Sequence, residues 1–172
     1  DDVRGRFLRE GKTANLIQHP GVVKILADGL IQGRVPYLVM ELLDGETLEQ
    51  RRVRKGGTLN VKEVLWAADQ ILSVLTAAHA KKILHRDVKP ENVFLTRDRR
   101  VKLLDFGIAR LSEHADGGTS RTQMGTLLGT PAFLPPEQAR GEQQGIGIQT
   151  DPWPVGATMF TLLSGRYVHE EE

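Results

Sequence analysis

Four residues between positions 83 and 107 carry side chains that can act on a phosphate group: Asp87, Lys89, Asn92 and Asp105. Asp87, Lys89 and Asn92 lie within six positions of one another. In that order they offer a proton acceptor, a cation that pairs with phosphate and a hard oxygen ligand. The carboxylate of Asp105 can complete a magnesium site. Phosphoryl transfer needs a positioned hydroxyl and cancelled phosphate charge, with little covalent help, so these residue types predict that chemistry.

Predicted strands and a helix supply rigid supports for these residues. Short apolar runs at 93–95 and 101–104 predict two strands separated by a charged turn. Apolar residues repeat on one helical face over 61–79 and predict a core helix that leads towards Asp87. The catalytic candidates are therefore expected in two loops, each fixed to a strand.

The N-terminal part of the chain is predicted to form a small sheet after a helix. Apolar spacing predicts a helix over 3–18 that must end before Pro20. Strand-like runs follow at 24–30 and 37–41, with a plausible hairpin turn at 32–34.

Composition limits the class of protein. The 172 residues are 40% hydrophobic and 26% charged, which fits one soluble domain or part of one. A net charge of +1 does not favour nucleic-acid binding, and the basic clusters at 51–55 and 97–102 are expected on solvated faces. The chain has no Cys, no apolar run of membrane-spanning length and no signal peptide at its start, so a cytoplasmic location is expected.

The segment His85-Arg86-Asp87-Val88-Lys89-Pro90-Glu91-Asn92, followed by Asp105-Phe106-Gly107, resembles the catalytic and metal loops of eukaryotic-type protein kinases. Lys89, two residues after Asp87, is similar to the serine/threonine branch, and Gln138-Ala139-Arg140-Gly141 resembles bacterial members. The resemblance implies an α+β, two-lobed protein kinase-like fold. It also implies an ATP- and magnesium-dependent serine/threonine protein kinase of bacterial signalling.

The resemblance assigns a role to each catalytic candidate. Asp87 would orient the substrate hydroxyl and accept its proton, and Lys89 would steady the transferring phosphoryl group. Asn92 and Asp105 would hold magnesium. Thr130 would bridge Asp87 and Lys89 through its hydroxyl.

Residues 40–45 resemble the hinge between the two lobes, although a plain strand end is the alternative. The resemblance makes Met40 the gatekeeper, and Glu41 and Leu43 the backbone partners of adenine. Glu46 or Thr47 is expected near the ribose. Two further residues are expected at the nucleotide site, Phe94 and Glu10, the latter as partner of a Lys on a preceding strand.

Residues 111–128 are polar and without periodicity, which predicts a loop. By resemblance this is the activation segment, with phosphorylation sites among its hydroxyl residues: Thr119, Ser120, Thr122 and Thr126. Thr122 and Thr126 are favoured, and Arg86 beside Asp87 would receive the phosphate. The alternative is a solvated polar loop.

Two histidines near the catalytic loop are interpreted as structural. His79 lies on the apolar face of the helix over 61–79, and neither it nor His85 has the spacing of a His-rich metal site. The resemblance implies that His85 packs under Phe106.

The segment that starts at Asp151 resembles a buried helix of the family, whose Asp accepts backbone hydrogen bonds from His85 and Arg86. Pro152 suits a first helical position. Pro154 is predicted to push Trp153 away from helical geometry. An apolar helix is predicted to continue over 157–163 and to end at Gly165.

The sequence contains neither a Gly-rich phosphate loop nor a Val-Ala-x-Lys strand before the first helix. We therefore expect one kinase domain truncated at both ends, inactive by itself, with an N-terminal lobe remnant (1–41), a hinge (42–47) and a partial C-terminal lobe (48–172). Expected partners are protein substrates with Ser or Thr, and a second copy for self-phosphorylation in a dimer; nucleic acid is not expected. The alternative is a non-catalytic, kinase-like interaction module.

Overall fold

A computed structural model of the chain describes residues 13–33, 35–106, 131–140 and 145–169. Most of the helix predicted over 3–18 lies outside these ranges, as do several predicted site residues: Glu10, Thr119, Ser120, Thr122, Thr126 and Thr130. The roles predicted for those residues stay predictions.

The N-terminal sheet is a two-stranded antiparallel hairpin. Strand β1 (Ile25–Ile31) pairs with β2 (Val35–Met40), and Ile31 lies opposite Val35. The turn between them uses left-handed backbone at Gln32 and Gly33, with φ of 50° and 66°. The predicted hairpin is confirmed, with strand ends shifted by one or two residues.

A second, three-stranded sheet carries the catalytic candidates. Strands β3 (Gly45–Thr47), β4 (Val93–Thr96) and β5 (Val101–Leu103) are antiparallel in the order β3-β4-β5, which confirms the two predicted apolar strands. Val93 lies opposite Leu103, and the Leu104 N–H donates to the Asn92 carbonyl at 2.9 Å. This register brings the residues just before β4 alongside those just after β5.

Four α-helices lie wholly within the described residues: α1 (Leu48–Arg54), α2 (Val61–His79), α3 (Pro136–Ala139) and α4 (Pro152–Ser164). Helix α2 has the predicted bounds, and the Asn60 side chain caps it by accepting from the Glu63 N–H at 2.9 Å. Within the described ranges, none of these helices combines the length and the apolar character that crossing a bilayer requires.

The hydrophobic core lies where α2 meets α4, α1 and the three-stranded sheet. Its largest fully buried apolar side chains come from all of these elements: Leu48, Ile71, Leu75, Leu103 and Leu162. Each such side chain stabilises the fold by about 1.5–3 kcal/mol relative to an exposed one. The loop after α2 is thus anchored to packed elements on both sides.

Helix α4 differs from expectation at its start, because Trp153 is helical between two prolines. Pro152 and Pro154 lie in the first turn, where backbone N–H groups have no partner within the helix, so neither ring removes a hydrogen bond. Burial of Pro154 and Val155 holds the turn in place. At the other end, Gly165 adopts a φ of 74° and ends the helix as predicted.

Candidate active site

The catalytic loop between α2 and β4 brings three of the predicted residues into direct contact. The Asp87 carboxylate accepts a hydrogen bond of 2.7 Å from the Asn92 side-chain amide and lies 3.0 Å from the Lys89 ammonium. The Asp87 and Lys89 side chains remain 25% and 19% exposed. A substrate hydroxyl can therefore reach this carboxylate from solvent.

Asn92 and Asp105 carry oxygen atoms of the kinds that magnesium binds. The Asn92 amide nitrogen donates to both the carboxylate and the carbonyl of Asp87, at 2.7 and 2.9 Å, so its oxygen points away from Asp87. Asp105 is exposed, and its φ of 58° turns the chain sharply after β5. The described residues contain no cluster of three or more His, Asp or Glu suited to a metal. A pair of oxygen ligands nevertheless suits Mg²⁺, which takes its other ligands from phosphates and water.

The His85 ring holds the metal loop against the catalytic loop. It is fully buried, and its ring centroid lies 4.5 Å from that of Phe106 at an interplanar angle of 63°. Burial lowers the pKa of His85, although Asp151 and Asp87 oppose this effect. The ring is therefore neutral, with Nε2–H assigned as donor to the Leu104 carbonyl at 2.9 Å and Nδ1 as acceptor from the Asp87 N–H at 3.3 Å. The predicted structural role and the packing on Phe106 are confirmed.

A buried carboxylate fixes the backbone of the catalytic loop. Asp151 is fully buried, and its oxygens accept from the N–H groups of His85 at 3.0 Å and Arg86 at 2.8 Å, as predicted. A third bond, 2.6 Å long, joins the carboxylate to Nε2 of His79. Arg86 has a φ of 67°, an unfavourable conformation for a residue with a side chain, and these bonds hold it there.

The predicted hinge is attached to the catalytic sheet. Met40 lines a small cavity of about 20 Å³ together with Asp105 and Phe106. The Glu41 carboxylate accepts from the Lys24 N–H at 2.9 Å and from the Lys102 ammonium on β5 at 2.5 Å. Sequence analysis missed Lys102, because no local pattern links it to a residue 61 positions earlier.

The remaining nucleotide-site residues have different surroundings. Leu43 is half-buried in the segment after Glu41, and Phe94 lies on β4 two residues after Asn92.

Glu46 has two cationic partners: its carboxylate accepts from Arg54 and Arg51 at 2.6 and 2.7 Å. The hydrogen bond from Arg54 is the largest cause that lowers the pKa of Glu46, to about 2. Its contact with ribose stays a prediction, and the carboxylate would have to leave two arginines to make it.

Comparison with known proteins agrees with this geometry. The protein-family profile described as "Protein kinase domain" matches residues 1–172. The chain belongs to the protein kinase family. Among solved structures, the kinase domain of Mycobacterium tuberculosis PknI superposes with a TM-score of 0.74 at 28% identity, covering 99% of this chain and 60% of that one. The predicted resemblance and the α+β kinase-like fold are confirmed.

Two curated relatives of this chain come from bacteria. Serine/threonine-protein kinase pkn3 of Myxococcus xanthus is 36% identical over 171 residues, which cover 97% of this chain and 31% of the relative. A probable serine/threonine-protein kinase of Streptomyces coelicolor, SCO3848, is 38% identical over 166 residues, which cover 95% of this chain and 24% of the relative. The chain thus spans less than a third of the length of either relative.

The Asp151 contacts lead to a test by substitution. Asp151→Asn keeps the shape but replaces one accepting oxygen with an NH₂ group that faces backbone or imidazole donors. We expect the free energy of unfolding to fall by about 1–3 kcal/mol, because a buried N–H loses its acceptor. Urea unfolding followed by circular dichroism measures this change. Asp44→Asn is the control, since the Asp44 side chain is 73% exposed; an equal loss in both variants would contradict the assignment.

Proposed function

We propose that this protein transfers the terminal phosphoryl group of ATP to Ser or Thr hydroxyl groups of proteins. The observation that carries the proposal is the contact of Asp87 with Lys89 and Asn92, and Asp105 follows Leu104, whose N–H donates to the Asn92 carbonyl. The serine/threonine kinase names of the relatives support the same activity.

Each side chain in this cluster has a proposed task. The Asp87 carboxylate orients the acceptor hydroxyl and takes its proton as the oxygen forms a bond to the terminal phosphorus; the bond from that phosphorus to the bridging oxygen breaks, and ADP leaves with the electron pair. Lys89, 3.0 Å from the carboxylate, stabilises negative charge on the transferring group. Asn92 and Asp105 would hold Mg²⁺, which neutralises phosphate charge when bound.

We further propose that transfer requires parts of the protein beyond these 172 residues. The sequence includes no Gly-rich loop to cover the phosphates and no strand Lys to pair with Glu10. Residues 1–41, 42–47 and 48–172 would then serve as part of the N-terminal lobe, the hinge and part of the C-terminal lobe. A cytoplasmic location and self-phosphorylation in a dimer belong to the same proposal.

Substitution of the two acidic residues in the full-length protein separates their roles. Asp87→Asn removes the proton acceptor, so we expect the transfer rate to fall by about 100-fold to 10,000-fold with nucleotide affinity nearly unchanged. Asp105→Asn removes a charged metal ligand, so magnesium-dependent nucleotide binding itself should weaken. Transfer of labelled phosphate and calorimetric nucleotide titration measure the two effects.

The control for this pair is Asp98→Asn, because the Asp98 side chain is 61% exposed on the turn after β4. If Asp87→Asn and Asp105→Asn lost nucleotide binding equally, the division of roles would be wrong. If Asp87→Asn kept the full transfer rate, the non-catalytic interaction module would become the better account.

Phosphorylation of the segment over 111–128 is proposed as the activating switch, with Thr122 and Thr126 as acceptors. The segment is rich in hydroxyl residues, and an Arg precedes the proposed catalytic Asp87. A guanidinium forms strong, bidentate, charge-assisted bonds with phosphate, so Arg86 can order a phosphorylated segment beside the catalytic loop.

Phosphatase treatment of the full-length protein tests this switch. We expect the rate to fall in step with loss of phosphate from Thr122 and Thr126, measured by mass spectrometry. Thr122→Ala combined with Thr126→Ala should reproduce the dephosphorylated rate, whereas Ser120→Ala should not. Full activity of the unphosphorylated protein would show that Arg86 has no regulatory role.

A further inference from the structure

A large cavity lies apart from the catalytic cluster. It has a volume of about 710 Å³, within the range of ligand-binding pockets, and Asp87, Lys89, Asn92 and Asp105 do not line it. Its walls come from the end of α1, the first turns of α2, strand β3 and the turn after β4. Apart from Glu46, which is predicted near the ribose, the wall contains no residue to which phosphoryl transfer or nucleotide binding has been assigned.

The cavity wall carries an excess of positive charge. Its charged residues are five cations and two carboxylates, a balance of five minus two, or three positive charges: Arg51, Lys55, Lys62, Arg97, Arg99, Glu46 and Glu63. The basic clusters at 51–55 and 97–102, expected on solvated faces, both contribute to it. The pairing of β3 with β4 brings them together, since Gly45 lies opposite Thr96.

Both carboxylates in the wall are already engaged by cations. Glu46 accepts from Arg51 and Arg54, and Glu63 accepts from Arg51 and from Lys55, the latter at 2.7 Å. These bonds fix the paired cations in the wall. No carboxylate of the wall is left for the other three cations, and one of these, Arg97, pairs with Asp44 outside the wall at 2.9 Å.

Lys62 and Arg99 are the two cations available to a ligand. Neither forms an ion pair with any residue in the described part of the chain. The Arg99 guanidinium carbon lies 5.7 Å from the centroid of the Trp66 ring, within the range of a cation–π contact. Trp66 and Leu95 add apolar surface to the same wall.

We propose that this cavity, which we call the basic cleft, binds an acidic peptide segment of a protein partner. Carboxylates of the segment pair with Lys62 and Arg99, and an apolar side chain packs against Trp66 and Leu95. A protein segment fits better than nucleic acid, because the wall holds two carboxylates and the chain as a whole has a net charge of only +1.

Binding in the basic cleft would affect catalysis, because the cleft lies close to the catalytic cluster. Strand β4 runs from Val93, the residue after Asn92, to Thr96 in the cleft wall, a span of roughly 10 Å at the usual rise per residue. A partner held in the cleft would therefore present its other segments to Asp87 at raised effective concentration. This consequence rests on the proposed function, whereas binding of the peptide does not.

Direct binding to the full-length protein tests the proposal. The probe is a short fluorescein-labelled peptide that is rich in Glu and has a central Leu. The control peptide has Gln in place of every Glu. We expect fluorescence anisotropy to show binding of the Glu peptide alone, weakening as salt rises. Lys62→Gln combined with Arg99→Gln should reduce the affinity by about tenfold or more, because two charge-assisted contacts are lost.

The matched control is Lys81→Gln combined with Lys82→Gln, which removes the same charge at the far end of α2, about 28 Å away. Lys82 and Arg99 both have left-handed backbone, with φ of 59° at each position. The two double substitutions are therefore expected to affect folding to a similar extent. Circular dichroism checks that both variants fold. Three results would overturn the proposal. In the first, the Glu peptide fails to bind, and in the second, both double variants lose the same affinity for it. In the third, a single-stranded oligonucleotide binds more tightly than the peptide at Lys62 and Arg99. If Asp87→Asn loses transfer activity but still binds the Glu peptide, the proposed peptide binding in the basic cleft is supported.

Discussion

The buried carboxylate of Asp151 is the constraint on which the proposed site depends. It lies at the start of α4 and binds backbone N–H groups of a loop 65 and 66 residues earlier in the chain. An isolated buried charge is costly, so the carboxylate is tolerated only because the N–H groups of His85 and Arg86 and the His79 ring satisfy it. The same bonds hold Arg86 at a positive φ and thereby direct Asp87 towards Lys89 and Asn92.

Sequence reasoning succeeded where one pattern contained all the needed information. The helical periodicity over 61–79 gave α2 its bounds, and the apolar runs at 93–95 and 101–104 gave two strands. The contact between Asp87 and Asn92 is also local, because Asn92 reaches back only five residues, but sequence reasoning did not predict it. Asp151 is distant in sequence, and only the family motif around it indicated its partners.

The features that sequence reasoning missed come from pairing between distant segments. Lys102 reaches Glu41 across 61 positions, and the two basic clusters meet only because β3 lies beside β4. The prediction for Trp153 was wrong for another reason: burial of Pro154 and Val155 outweighs the local preference against helical geometry at the residue before a proline. The three-stranded sheet thus joins the catalytic cluster at one end of β4 to the basic cleft at the other.

Asp151 fixes the catalytic loop through backbone hydrogen bonds. Hydrogen–deuterium exchange at residue resolution can test this, because it reports the opening free energy of individual N–H groups. We expect the N–H groups of His85 and Arg86 to exchange as slowly as those of the buried residues Ile71 and Leu75 in α2. Exchange of the His85 and Arg86 N–H groups at the rate of an exposed loop, while α2 stays protected, would contradict it.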